Sequence, residues 1–448
     1  MGSESRSIDA EREIHVRGNA CGWRCGICTR AVVPALLVAL LLADCSDDHA
    51  TKPEPSPPRV FVVHPDGSGE CPTIADALER AASGDTIELA CGLFKGEGNR
   101  DLDFHGKNVT VRSAGCGPSA CVIDCEGSEA DPYWGFAFHS GEGPQAVLQN
   151  LAIRGGYRVG GGGAIACDSS SSPALINIVM IGNRNRALMC RSSSPALTNC
   201  TFFDNPEGAM ACWNRASPKL TSCQFLGNSA TYSGGAIDCN SSTVTLTYCS
   251  LHQNSAAFAG GAIAAWRIEA EPCSVLVFSC FFQDNSAEYH GGAIACSASH
   301  LELGACVFQD NLAAVNGGGL WCSHGTSPTI DHCTFVGNTA QSGGGIKCEW
   351  AASPIVTNTI LAFHSGGGAL ECDHLLGECL PYLTLCDLFG NTGGDWTGCI
   401  AEQAAIRGNI WADPLFCDAE HGNLFLQHGS PCADIEGETI GAKPADCE

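Results

Sequence analysis

Trp213, Asp238, Trp266, Trp321, Lys347, Glu349, Trp350, Glu371, Asp373 and His374 all lie within two residues of one recurring column. That column runs Cys167, Cys190, Cys212, Cys239, Ala265, Cys296, Cys322, Cys348, Cys372, with alanine once in the place of cysteine. Asp168 and Arg191 flank the same column, and four of the eight tryptophans belong to this set. An indole presents a wide apolar face with few rotamers to lose, which suits stacking against a sugar ring. Glu349, Glu371, Asp373 and His374 fall within two repeats of each other, close to Lys347. Such a group can hold calcium through carboxylate oxygens, or act as an acid and a base. The bland alternative for the whole set is a solvated face of mixed charge.

Positioning these residues requires a chain that returns to the same place once per repeat. The unit is seen whole in Gly234 to Ile263: Gly-Gly-Ala-Ile-x-Cys, a polar turn, a second cysteine, an asparagine, and Gly-Gly again. The second cysteine column runs Cys200, Cys223, Cys249, Cys280, Cys306, Cys333, skips at Thr359 and resumes at Cys386. An asparagine column follows it at Asn183, Asn205, Asn228, Asn254, Asn285, Asn311, Asn338 and Asn391. Steps are mostly 22 to 27 residues, with one of 31 where Arg267 to Cys273 is inserted. Between the cysteines the apolar residues alternate, as in Val244-Thr245-Leu246-Thr247, so the elements are short strands. A propeller blade needs roughly 40 residues, and the framework of a leucine-rich repeat is missing. The remaining solution is all-β: a single-stranded, right-handed parallel β-helix. About 12 coils stacked ~4.8 Å apart give a rod about 60 Å long. Like residues then stack on like, the cysteines point inward, asparagine amides run along a turn, and Gly-Gly makes a corner with positive φ.

The repeats also carry a resemblance. Gly-Gly-Ala-Ile at Gly234, Gly260 and Gly291, with Phe225–Asn228 and Phe335–Asn338, resembles the repeats of chlamydial polymorphic outer-membrane proteins. From Val60 to Cys447 the chain is similar to bacterial secreted β-helix proteins of the pectin-lyase-like superfamily. That resemblance implies the fold, not one activity, because the superfamily mixes lyases, hydrolases, adhesins and inert scaffolds. A galacturonan hydrolase of this type needs paired aspartates and a Gly-His-Gly motif. The only Asp-Asp is Asp47-Asp48, and Gly-His-Gly is absent. Ile330-Asp331-His332-Cys333 looks like a lyase turn, but in register it matches Thr198-Asn199-Cys200 and reads as an ordinary coil position.

Residues 1–45 read as a leader. Ala31 to Ala43 is apolar but shorter than the roughly 20 residues that span a bilayer, which fits a signal peptide core. Cys45 is the candidate lipid-attachment site. Residues 46–58 are acidic and proline-rich and read as a tether. Residues 59–146 hold the N-terminal cap and first coils. Pro72 to Ala82 is a helix with a Thr73/Asp76 capping box and an apolar face of Ile74, Ala77, Leu78 and Ala81. Residues 147–399 hold the repeats, and residues 400–448 break the period and form a C-terminal cap.

All cysteines except Cys21, Cys25, Cys28 and Cys45 lie from Cys71 onward, and such usage behind a leader points to an oxidising compartment. Bridges are expected for Cys71 with Cys91, Cys116 with Cys121 or Cys125, and Cys417 with Cys432 or Cys447. The ladder cysteines are expected to be small apolar core residues. A net charge of −25 argues against nucleic acid and anionic membranes. It also argues against polyanions such as pectate unless calcium bridges them. The expectation is a secreted or surface-tethered monomer without enzymatic activity or obligatory cofactor. It would bind extracellular polysaccharide or surface glycans as an adhesin-like module. The competing expectations are a polysaccharide lyase or hydrolase using the Lys347 to His374 face, and a purely structural surface rod.

Overall fold

The computed structural model describes residues 57–448 except 268–270, 272, 374–376, 436 and 448. The leader, Cys45, most of the tether and His374 therefore lie outside the described residues. The chain winds as a parallel β-helix of about 12 turns. Strands of successive turns pair in parallel, residue on residue: Ile237 with Ile263, Ile263 with Ile294, Ile294 with Leu320, Leu320 with Ile346. One face is an eleven-stranded sheet from Leu102–Asp103 to Leu370–Cys372. The other two faces merge into one 23-stranded sheet, because Val147–Arg154 and Ala174–Ile181 run through both. Farther along, the two faces separate at one left-handed residue per turn, including Asn199, Ser222, Ser279 and Ala305. His332 occupies that same corner with φ 49° and bonds its neighbour Asp331, so the lyase-like tripeptide is a coil corner.

Alternation along each short strand sends one set of side chains into a single continuous core. Phenylalanines pile flat on each other there: Phe202 on Phe225 at 4.5 Å, Phe282 on Phe308 at 4.6 Å, Phe308 on Phe335 at 4.3 Å. Each such pair adds about 0.5–1.5 kcal/mol beyond its buried area. Both cysteine columns are buried, except Cys372, which is half-buried. Cys322 Sγ sits 3.6 Å from Cys348 Sγ, and Cys306 Sγ donates to the Val277 carbonyl at 3.4 Å. Burial pushes the Cys386 thiol up to about 12. The asparagine column is a buried amide ladder. Asn254 Nδ2 donates to the Phe225 carbonyl and to Asn285 Oδ1, both at 3.0 Å, and its N–H donates to the same Oδ1 at 3.0 Å. The Gly-Gly corner takes positive φ at Gly234, Gly260 and Gly291, before Ala-Ile, and at Gly317 and Gly343, where a third glycine replaces the alanine. The following glycine is required by contact, since a Cβ on Gly235 would lie 2.3 Å from the Gly261 carbonyl.

The helix is Ile74–Arg80. Thr73 Oγ1 accepts from the Asp76 N–H at 3.2 Å, and the Thr73 N–H donates to Asp76 Oδ2 at 3.1 Å. Three bridges occur among the described residues: Cys91–Cys116, Cys372–Cys399 and Cys417–Cys447. The last was one of the expected pairings. The first corrects the N-terminal pairings, since Cys71, Cys121 and Cys125 are buried thiols. The second takes Cys372 out of the thiol ladder at its final turn. Trp396 and Ile400 pack against the end of the core. The segment beyond Asn409 folds back along the flank, where Phe416, Leu424, Leu426 and Ile440 cover Val307, Val336, Ile360 and Ala362. Its backbone is tied there by Gly441 N–H to the Asn358 carbonyl at 2.8 Å and Ala442 N–H to Thr334 Oγ1 at 2.9 Å.

Candidate functional site

The eleven-stranded sheet carries the flanking residues of the first cysteine column in two outward rows. Register stacks Asp238, Ala264, Ala295, Trp321, Lys347 and Glu371 in the row before the column. Trp213, Asn240, Trp266 and Ser297 stack in the row after it.

Outward does not mean exposed, and several expected ligand-facing residues are covered. Trp321 is 5% exposed. Small side chains at Ala259 and Ala295 let its ring lie down on the sheet. His290 stacks parallel on it at 4.7 Å, and Trp266 approaches at 6.0 Å. The Trp321 indole N–H donates to Glu349 Oε2 at 2.9 Å, and Asn316 Nδ2 donates to Glu349 Oε1 at 3.0 Å. Trp321 is thus a foundation for its neighbours, not a stacking platform. Asp238 is buried in an ion pair with Arg186 at 3.1 Å, and Asn240 Nδ2 donates to it at 2.9 Å. Burial pushes the Asp238 carboxyl up, and the Arg186 guanidinium opposes that shift.

The expected acidic cluster divides into separate networks. Lys347, also buried, donates from Nζ to Ser342 Oγ at 2.9 Å, and Ser342 in turn donates to Glu371 Oε2. Glu371 Oε1 accepts the Gly368 N–H at 2.6 Å. Glu349 turns the other way, to Trp321. The Asp373 N–H donates to the Cys348 carbonyl at 2.9 Å. No group of three or more His, Cys, Asp or Glu side chains placed to hold a metal ion occurs among the described residues. Trp350 stands apart at a left-handed corner, edge-on to His324 at 3.9 Å. Trp213 lies under the Arg191 guanidinium, 5.4 Å from its ring centroid.

What the structure brings together instead is a recess of about 330 Å³ lined by Tyr232, Ser233, Asp238, Asn240, Phe258, Trp266 and Arg267. Its wall is aromatic. Tyr232 and Phe258 stack at 5.1 Å and 10°, Trp266 follows at 6.4 Å and 28°, and Tyr289 extends the series 5.6 Å beyond Phe258. Its lining also carries the polar side chains of Ser233, Asp238, Asn240 and Arg267. Ser233 Oγ, Asn240 Oδ1 and Trp266 Nε1 are themselves shielded from solvent and have no hydrogen-bond partner in the protein, at a cost of about 1–3 kcal/mol each. Tyr232, Phe258 and Tyr289 escaped the sequence reading, although each stands two residues before its Gly-Gly. A periodic aromatic in that position was the available signal. Bridges between Ser233, Ala259 and His290 hold these turns in step.

Residues 103–267 match the model for the right handed beta helix region, and residues 279–297 match the Chlamydia polymorphic membrane protein repeat. Among solved structures, the chain is similar to pectate lyase Pel9A at 14% identity, covering 87% of this chain and 97% of that one with a TM-score of 0.45. It is similar to the catalytic unit of the thermostable GH87 alpha-1,3-glucanase from Streptomyces thermodiastaticus strain HF3-3 at 13% identity, covering 76% and 67% with a TM-score of 0.41. It is similar to the PL6 family alginate lyase AlyGC at 12% identity, covering 85% of this chain and 57% of that one with a TM-score of 0.43. None of the curated proteins matches the chain significantly. Among the described residues no helix is long and apolar enough to cross a membrane.

Proposed function

We propose that this right-handed parallel β-helix repeat protein is a non-catalytic module of the cell surface or its surroundings that binds glycans on the eleven-stranded face. The observation that carries the reading is the recess at Tyr232, Phe258 and Trp266, where an aromatic wall stands beside the polar side chains of Asp238, Asn240 and Arg267. A sugar matches both: apolar C–H faces for the rings and hydroxyls for the polar side chains. The catalytic alternative finds less support. Hydrolysis of a glycosidic bond ordinarily uses two carboxyl groups flanking the bond. Among the described residues the lining supplies one, Asp238, and Arg186 already engages it. The apolar leader run and the match to the Chlamydia polymorphic membrane protein repeat support export.

The test is a polysaccharide and oligosaccharide panel, with and without calcium, read both for binding and for new reducing or unsaturated ends. Binding without turnover is expected, weakened about tenfold or more in Trp266→Ala as a stacking contact is lost. New chain ends that disappear in Glu371→Ala would overturn the binding reading in favour of an enzyme.

A further inference from the structure

We infer that Cys239 and Cys273 form a further disulfide, which ties the end of the inserted segment to the turn beneath it. The first argument is a substitution within the core. Ala265 takes the cysteine's place in the first column, in register between Cys239 and Cys296. The same turn carries the insertion that ends at Cys273. Cys273 is 1% exposed and belongs to the continuous core. Its Sγ lies 3.5 Å from Cys239 Sγ and 3.5 Å from the Cys239 carbonyl oxygen. The turn that gives up a column cysteine thus brings another thiol to the same neighbour.

The second argument is direction. Register partners such as Cys322 and Cys348 stand side by side on parallel strands and point the same way, which suits packing better than bonding. The bridges between turns avoid that arrangement. Cys372 leaves its register partner Cys348 and bonds Cys399, 27 residues on, and Cys91 bonds Cys116, 25 residues on. Cys239 and Cys273 are 34 residues apart and repeat this step out of register, lengthened by the insertion. Cys239 lies on Ile237–Asn240 of the eleven-stranded sheet, whereas Cys273 leads into Ser274–Phe278 of the 23-stranded one. Their side chains therefore approach from two faces of the rod. Closing 3.5 Å to a bond of about 2.05 Å asks for side-chain movement alone.

The oxidant is a disulfide R–S–S–R of the kind an oxidising compartment supplies. The Sγ–Sγ bond forms, the R–S–S–R bond breaks, and the two thiol hydrogens leave on two molecules of R–SH. Cys239 and Cys273 are 0% and 1% exposed in the finished rod, so the exchange belongs to folding, before the later turns cover them.

The test is peptide mapping of the full chain secreted from a bacterial host, on material in which Cys91–Cys116 and Cys372–Cys399 are closed. Thiols are alkylated after unfolding, and the chain is digested without reduction. The expected result is a joined pair of peptides holding Cys239 and Cys273, two hydrogens lighter than the separate peptides, with Cys322 and Cys348 alkylated. In Cys273→Ser, Cys239 then carries the alkyl group. Alkyl groups on both Cys239 and Cys273 in the parent chain would overturn the inference, as would a bond from either to a different cysteine. A Cys322–Cys348 link in the same digest would overturn the argument from direction. None of these outcomes bears on the glycan-binding reading.

Discussion

Replacing His364 with asparagine tests the ladder logic at its weakest rung. His364 stands where the column otherwise holds asparagine. Its Nδ1 accepts the Asn338 N–H at 3.2 Å, and its own N–H donates to Asn391 Oδ1 at 3.0 Å. The ring is 1% exposed and its Nε2 has no partner, whereas Asn338 Nδ2 donates to the Phe308 carbonyl at 2.8 Å. Burial lowers the imidazole from 6.5 to about 3. Below about pH 6.5 the unfolded chain therefore binds a proton that the folded chain refuses. Stability is full above that pH and falls by about 1.4 kcal/mol per unit as pH drops toward 3. By about pH 5 this amounts to roughly 2 kcal/mol. His364→Asn removes that dependence and restores an amide donor worth about 1 kcal/mol. Gly345 stands where other turns have Ala236, Ala262 and Ala293, and a Cβ there would lie 2.5 Å from both the Ala369 carbonyl oxygen and His364 Nε2. Gly345→Ala should therefore cost about 1–3 kcal/mol through overpacking beside either His364 or its asparagine replacement, because the backbone oxygen stays in place. Urea unfolding of the parent and His364→Asn at about pH 7.5 and about pH 5 reads the main effect. The reasoning fails if the advantage of His364→Asn does not grow on acidification.

Asn254→Ala should cost about 3–5 kcal/mol, because it strands the Phe225 carbonyl and the Asn228 N–H and amide that now donate to Asn254 Oδ1 at 3.2 and 2.9 Å. A shift in urea stability below about 1 kcal/mol would contradict the ladder's role. Asp387 is buried, takes the Cys432 thiol at 3.2 Å and the Ala412 N–H at 3.1 Å, and burial raises its carboxyl from 3.8 to about 6. Its contribution is present below the unfolded value and lost as pH rises through about 6. Asp387→Asn should therefore gain about 2–3 kcal/mol relative to the parent between about pH 4 and pH 7, and parallel pH profiles would refute the assignment.

Periodicity made the winding legible, because a parallel register puts one copy of each column on every turn. Cys239, Ala265 and Cys296 could be aligned by counting, skip included, and so could the corner at His332. The Thr73/Asp76 box located the helix from local chemistry alone. The candidate site was legible only in part. The alternation shows that Trp321 leaves the core, but not that Ala295 lets it lie flat under His290 and Trp266. Coverage of an outward side chain depends on residues one or two turns away. Lys347 and Glu349 are close in sequence yet bond in different directions, to Ser342 and to Trp321. Cys372 looks like any other ladder cysteine, and only the closing turn brings Cys399 to it.

A stack of like turns with neighbour-only contacts can peel from either end, one turn at a time. The returning tail changes this at one extremity. By clasping Val307, Thr334, Ile360 and Asp387, one from each of four successive turns, it makes the last four turns let go in concert or not at all. Mechanical or thermal wear should therefore begin at the helix-capped extremity, and a shortened chain lacking the clasp would lose its directional bias.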